Sequence, residues 1–189
     1  MEFWAGTAVA GMTLLAYGMA SVQIAIVFFL AEARGFGPLE VGAIISGFPL
    51  AMVLVSPLAG QFSGWFGPRA ISTIGLLIVA GGLVSLSTIS IQTEVASIVL
   101  RLVIVGIGRG LVEPTNITVM MGSVTSDRIG TASASTNTSR AIGLGIGFAA
   151  AGALINELEL ALLVAAGMAL LGAVTSWLSM TNWGRANTV

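Results

Sequence analysis

The stretch "GTASASTNTSRAIGLGIG", Gly130–Gly147, decides the fold. Its Gly, Ser, Thr and Asn content and the charge at Arg140 suggest a loop, yet it runs straight into "FAAAGALI". If it were a loop, the apolar remainder would supply roughly 12 Å of helix, too little to cross a bilayer. As a helix, its small residues make sense. Gly143, Gly147 and Ala151 recur every four residues, and Gly145 with Ala149 forms a second such row. Rows of this kind let helix backbones approach closely in lipid, where packing drives association. Ser133, Ser135, Thr136 and Thr138 can bond back to carbonyls of their own helix. The segment is therefore read as a membrane span packed on its small face.

The rest of the chain agrees. Of 189 residues, 56% are hydrophobic and 8% charged, with mean hydropathy +1.02. A soluble domain carries about a quarter charged residues, so this chain has no adequate water-facing surface and belongs in a bilayer. All 7 basic residues are arginine, and the formal net charge of −1 gives no electrostatic case for nucleic acid. Cys and His are absent, which removes disulfides, thiolate or imidazole metal sites, and any Ser-His-Asp triad. No enzyme chemistry and no cofactor are expected. The start "MEFW" lacks the positive region of a cleaved signal.

Six windows are long and apolar enough to span: Gly6–Leu30, Val41–Gly60, Ala70–Ile89, Val95–Met120, Ala132–Ile155 and Leu160–Met180. The turns "EARGFGPLE" and "FGPR" carry Gly-Pro breakers, and the others are short and polar. The expected fold is an all-α membrane protein, a single domain of six transmembrane helices over residues 1–189 that splits near Gln92 into a 3+3 helix arrangement. With the amino terminus inside, the cytoplasmic side receives Arg69, Arg128 and Arg185 and the outer side only Arg34. Trp4, Trp65 and Trp183 then lie at the inner interface. The predicted location is the cytoplasmic membrane, with both termini inside.

Charges within spans are costly, from about 2.5 to over 10 kcal/mol at mid-bilayer, so they face a bundle interior or water. Arg140 lies about nine residues into its window, roughly 13 Å along it. A gating or functional role inside the bundle competes with a structural one in which it caps neighbouring carbonyls. The fourth window holds Arg101, Arg109 and Glu113. Arg109 and Glu113, four apart, share a face and can pair. Arg101, about 80° round from Arg109, needs a partner from another span or water. Glu113 is the one carboxylate inside a span, hence the candidate proton site, with a structural pair as the alternative. Tyr17, Gln23, Asn116 and Asn137 are polar at depth; Tyr17 and Gln23 can line a central cavity or bond between helices. Pro49, Pro57 and Pro114 are expected to kink their helices. "GIGRG" (Gly106–Gly110) has no preceding strand and reads as a close-packing face rather than a nucleotide loop.

The segment from "GIGRGLVEPTNITVMMG" through "SVTSDRIGTASASTNTSRAIGLGIGFAAAGALI" resembles the carboxyl-terminal six-helix half of a major facilitator superfamily transporter, closest to the fourteen-helix drug:proton antiporters. Ala134, Ser135, Asn137, Thr138, Arg140, Gly143 and Gly147 are the positions the resemblance carries over. "SPLAGQFSGWFGPR" resembles that family's cytoplasmic gating motif at Gly60, Gly67 and Arg69. It departs from the motif at Gly64, where an aspartate is expected, and at Trp65, where a basic residue is expected. Those departures remove a helix-capping carboxylate and its charge latch. Arg101 matches the fourth-span arginine motif only roughly, and the fifth window lacks the antiporter proline.

The resemblance implies proton-coupled efflux of small amphiphilic compounds through a cavity between two six-helix bundles. One bundle supplies one wall, so a homodimer or a second six-helix half is the expected partner. With three in-span arginines and one acid, the interior of this half is positive on balance, which favours anionic substrates unless the partner supplies acids. A non-transporting membrane scaffold or regulatory module is the rival, as is an inactive truncated fragment, which the lack of a linker in "MEFWAGTA" favours.

Overall fold

The computed structural model describes residues 22–122, 129–153 and 158–180. Among them the chain is helical, without a strand. The described part of α1 is Val22–Ala33, followed by α2 Pro38–Ile45, α3 Gly47–Phe66, α4 Pro68–Ser87, α5 Val95–Gly122, α6 Ile129–Ala153 and α7 Leu158–Met180. Since α2 and α3 form one rod interrupted at Ser46, the described residues make six rods in an all-α bundle. Pro38–Phe66, Ala70–Ser87 and Val95–Thr118 are each long and apolar enough to cross a membrane. α6 is not among these three, because Ser, Thr, Asn and Arg dilute its first half.

Each Gly-Pro turn holds one glycine of positive φ, directly before the proline in the second turn and two residues ahead of the extended Gly37 in the first. Gly35 and Gly67 have φ of +68° and +80°, where a Cβ would strain the backbone. Pro38 and Pro68 then open α2 and α4, at positions whose N–H groups have no helical partner to lose. Glu40 reaches back to accept the Gly37 N–H at 2.9 Å, fixing the start of α2. Pro49 has no N–H to return to the Ile45 carbonyl and its ring presses on it, which accounts for the break at Ser46. The other two prolines expected to kink behave differently: α3 continues through Pro57 and α5 through Pro114.

α5 is the central rod, and its glycines make it so. Gly106 and Gly110 face α3, where an added Cβ would collide with the Phe48 carbonyl and stand 2.8 Å from the Met52 carbonyl oxygen, respectively. Gly108 faces the other way, onto α4. A Cβ there would lie 2.7 Å from the Gly75 carbonyl oxygen and 2.8 Å from the Val79 nitrogen. "GIGRG" thus clamps α5 between α3 and α4 at backbone contact, the close-packing role its composition suggests.

α7 lies on α4 by a comparable device. Ala161, Ala165, Ala169 and Ala173 are buried at every fourth position, and Gly172 stands against Leu76. Larger side chains fill the space between: Ile26 and Leu30 of α1, Leu83 and Leu86 of α4, Ile98 of α5 and Leu162 of α7. The outward faces are apolar as well. Leu50, Val53 and Leu54 of α3 and Leu170, Leu171 and Val174 of α7 are exposed, as suits surfaces solvated by acyl chains rather than water.

Candidate functional site

The small residues of α6 turn one face inward. Ser139, Gly143 and Gly147 are buried, whereas Gly145 and Ala149 are exposed. Of the two rows in the sequence, the first is therefore the packed one. Ser139 spends its hydroxyl on the Ser135 carbonyl at 2.8 Å, so it brings no unsatisfied group into the contact. Arg140, next to it, is the twelfth residue from Ile129, roughly 16 Å along the helix.

Arg140 finds its counter-charge on α5. Its Nη1 lies 2.6 Å from Oε1 of Glu113. The other carboxylate oxygen, Oε2, accepts from Nε of Arg109 at 3.1 Å, the expected pair four residues apart. One carboxylate thus bridges two guanidinium groups on two helices. The Arg109 and Glu113 side chains are 11% and 15% exposed and Arg140 48%, so the bridge runs from the interior to an open face. Nη1 of Arg109 is buried and has no hydrogen-bond partner among the described residues. Two cations against one anion leave this cluster with an excess positive charge.

A layer of short polar side chains adjoins it. Ser72 of α4 donates to Oδ1 of Asn116 at 2.8 Å, and the hydroxyls of Ser63 and Thr115 meet at 3.1 Å. Such short groups reach one another only because the glycines of α5 bring α3 and α4 to backbone contact.

The remaining sequence-derived candidates disperse. Arg101 hydrogen-bonds the Ser85 carbonyl and, at 3.0 Å, Oγ1 of Thr88, neutralising the last turn of α4 far from Glu113. Arg101→Gln is expected to lower stability by about 1–2 kcal/mol and to leave a Glu113–Arg140 double-mutant cycle unchanged, both read from unfolding in lipid nanodiscs. Gln23 is exposed beside a cavity of about 20 Å³ whose other walls are Val22, Ile26, Ile45, Phe48, Leu102 and Val105. Asn137 is exposed, on the side of α6 away from Ser139. Tyr17 lies outside the described residues.

In the gating-like segment, Gly60 and Gly64 border open space, and Gly67 forms the positive-φ turn between α3 and α4. Arg69 occupies the first turn of α4, its side chain outside the description. Trp65 is exposed and meets Phe62 edge to face at 6.2 Å between centroids. At the opposite end of the rods, Arg34 donates to the Thr93 carbonyl and sits 5.2 Å from the Phe36 ring centroid, tying two connections together.

Sequence reasoning missed that Glu113 is the partner of Arg140, and it missed the Ser72–Asn116 and Ser63–Thr115 bonds. A polar residue in each apolar window was the available signal, but it names no partner.

The sequence matches the Major Facilitator Superfamily profile over residues 8–183. The uncharacterized transporter YebQ of Escherichia coli is 28% identical over 164 residues, 84% of this chain and 36% of that protein. The multidrug transporter protein MdtP of Bacillus subtilis is 27% identical over 142 residues, covering 75% of this chain and 26% of its own length. The riboflavin transporter RibZ of Clostridioides difficile is 26% identical over 110 residues, or 58% and 24% respectively. The chain spans about a quarter to a third of the length of these relatives. A helical bundle with apolar outer faces, an ion-paired polar interior and a profile match along nearly its whole length belongs to the Major Facilitator Superfamily.

Proposed function

We propose that the chain is one six-helix wall of a proton-coupled exporter of small amphiphilic compounds. It works in the cytoplasmic membrane, both termini inside, paired in parallel with a second copy or another six-helix half. Family membership and the multidrug and riboflavin transporters among its relatives support small-molecule transport. The observation that carries the proton-coupled part is the position of Glu113, a carboxylate shared between its own helix and α6.

Among the described residues, α6 touches the other helices chiefly through α5. The Glu113–Arg140 bond is thus a major polar tie between them. Protonation of Glu113 removes the negative charge that stands between two guanidinium groups, which then repel, and the tie to α6 is released. Loss of the proton restores it. Coupling requires just this: a protonation event that biases one helix between two positions.

The test is transport in proteoliposomes bearing the wild-type assembly or Glu113→Gln, with a fluorescent amphiphile and an imposed pH gradient. Glu113→Gln is expected to lose gradient-driven accumulation at least tenfold while retaining downhill exchange. Wild-type accumulation by the variant would overturn proton coupling at Glu113. A strict monomer in native mass spectrometry from lipid, with full transport, would overturn the pairing. Loss of pairing alone in Arg140→Ala, with no transport by any form, would favour a scaffold.

A further inference from the structure

We infer that Arg109, Glu113 and Arg140 form a recognition subsite for the anionic group, a carboxylate above all, of an amphiphilic substrate. This rests on the reading of the chain as a transporter half and adds to it the charge of what is carried.

The argument begins from valence. Each oxygen of Glu113 already faces an arginine, so its single negative charge is shared between two cations and little of it is left for a cationic ligand. Among the described residues each guanidinium retains unused donors. Nη1 of Arg109 is buried without a partner, and among the described residues Arg140 has no partner besides Glu113. A buried donor without an acceptor and an uncompensated charge are both unfavourable in a low-dielectric bundle, and a second anion relieves both. Planar guanidinium groups suit carboxylates in particular, since two parallel N–H groups match two oxygens.

The surroundings are shaped for access. Arg140 is half exposed, and Asn137, three residues earlier and about 60° away on an ideal helix, is exposed beside it. Ala134 and Ala141 on the same side are small and exposed, so space remains for the apolar body of a ligand. The amide of Asn137 supplies a further donor to the same approach. A cationic amphiphile would meet excess positive charge here.

Three matched probes test this by equilibrium binding to the intact protein in phosphatidylcholine nanodiscs, with no pH gradient. They are 1-pyrenebutyrate, its primary amide and 1-pyrenebutylamine, which share an apolar body and differ in charge. Wild type is expected to prefer the carboxylate over the amide at least tenfold, with the amine weakest. Arg140→Gln, at a half-exposed position that a neutral side chain tolerates, should abolish that preference, so that carboxylate and amide bind alike. Arg140→Lys should keep part of it. Equal binding of carboxylate and amide by wild type would overturn the inference, as would a preference that survives in Arg140→Gln. A preference that disappears when phosphatidylglycerol is added would assign the site to lipid headgroups and overturn the substrate reading. Because binding is read without transport, a charge preference with no export would sink only the exporter, and export without charge preference only the subsite.

Discussion

Gly108→Val is expected to unfold the bundle or prevent its assembly, lowering stability by more than about 3 kcal/mol. A side chain at this position points from α5 into α4, where its first carbon would already stand 2.7 Å from the Gly75 carbonyl oxygen and 2.8 Å from the Val79 nitrogen. Both obstacles are backbone, so no rotamer change relieves the clash and two helices must separate. Separation also breaks the Ser72–Asn116 bond, which depends on the same approach. Gly145→Ala is the control: nothing lies within 4 Å of its added Cβ, and its effect should stay within about 0.5 kcal/mol. Urea or thermal unfolding in lipid nanodiscs, followed by tryptophan fluorescence, measures both. Wild-type stability in Gly108→Val would refute the three-rod clamp.

The second large effect separates members of the charged cluster. Glu113→Ala should cost about 3–5 kcal/mol, because it leaves the largely buried Arg109 without a counter-ion and beside a second cation. Arg140→Ala should cost about 1 kcal/mol or less. It removes a half-exposed charge and leaves a balanced Arg109–Glu113 pair behind. The ordering is the sharp part of the expectation, since a simple two-residue salt bridge would give similar losses for either partner. In the double variant the two losses should not add, because the Glu113–Arg140 bond is counted in both. Equal effects from the two single substitutions would show that Glu113 does not hold both cations.

Where the sequence succeeded, the reason was local. The Gly-Pro turns could be located because a Gly-Pro pair breaks a helix whatever surrounds it, and each turn indeed holds one glycine of positive φ, Gly35 in the first and Gly67 in the second. The Arg109–Glu113 pair followed from helical periodicity alone, four residues being one turn. "GIGRG" was legible as a packing surface because glycine inside an apolar helix has few other uses. Proline was less legible. Pro57 and Pro114 carry the same local cost as Pro49, yet the helix is interrupted only near Pro49, so neighbouring packing decided which cost became a break.

The candidate site divides along the same line. Arg101 and Arg140 look alike in sequence, each a lone arginine in an apolar window. The structure sends Arg101 to the carbonyl end of α4 and Arg140 to Glu113. Gln23 and Asn137, both polar at depth, lie on different helices and are not joined to one another by any hydrogen bond recorded among the described residues.

By itself, then, the amino-acid sequence determined that this protein is a helical membrane bundle, that Gly-Pro pairs turn its chain, and which short-range pair of charges forms. Those outcomes depend on hydropathy, on glycine and proline backbone preferences, and on a periodicity set within one helix. Only the tertiary structure decided which small-residue row of α6 is buried, which helices the glycines of α5 admit, and that one carboxylate serves two arginines. Each of those depends on the rotation and approach of one rod against another. Long-range packing fixes such quantities, and no single helix encodes them.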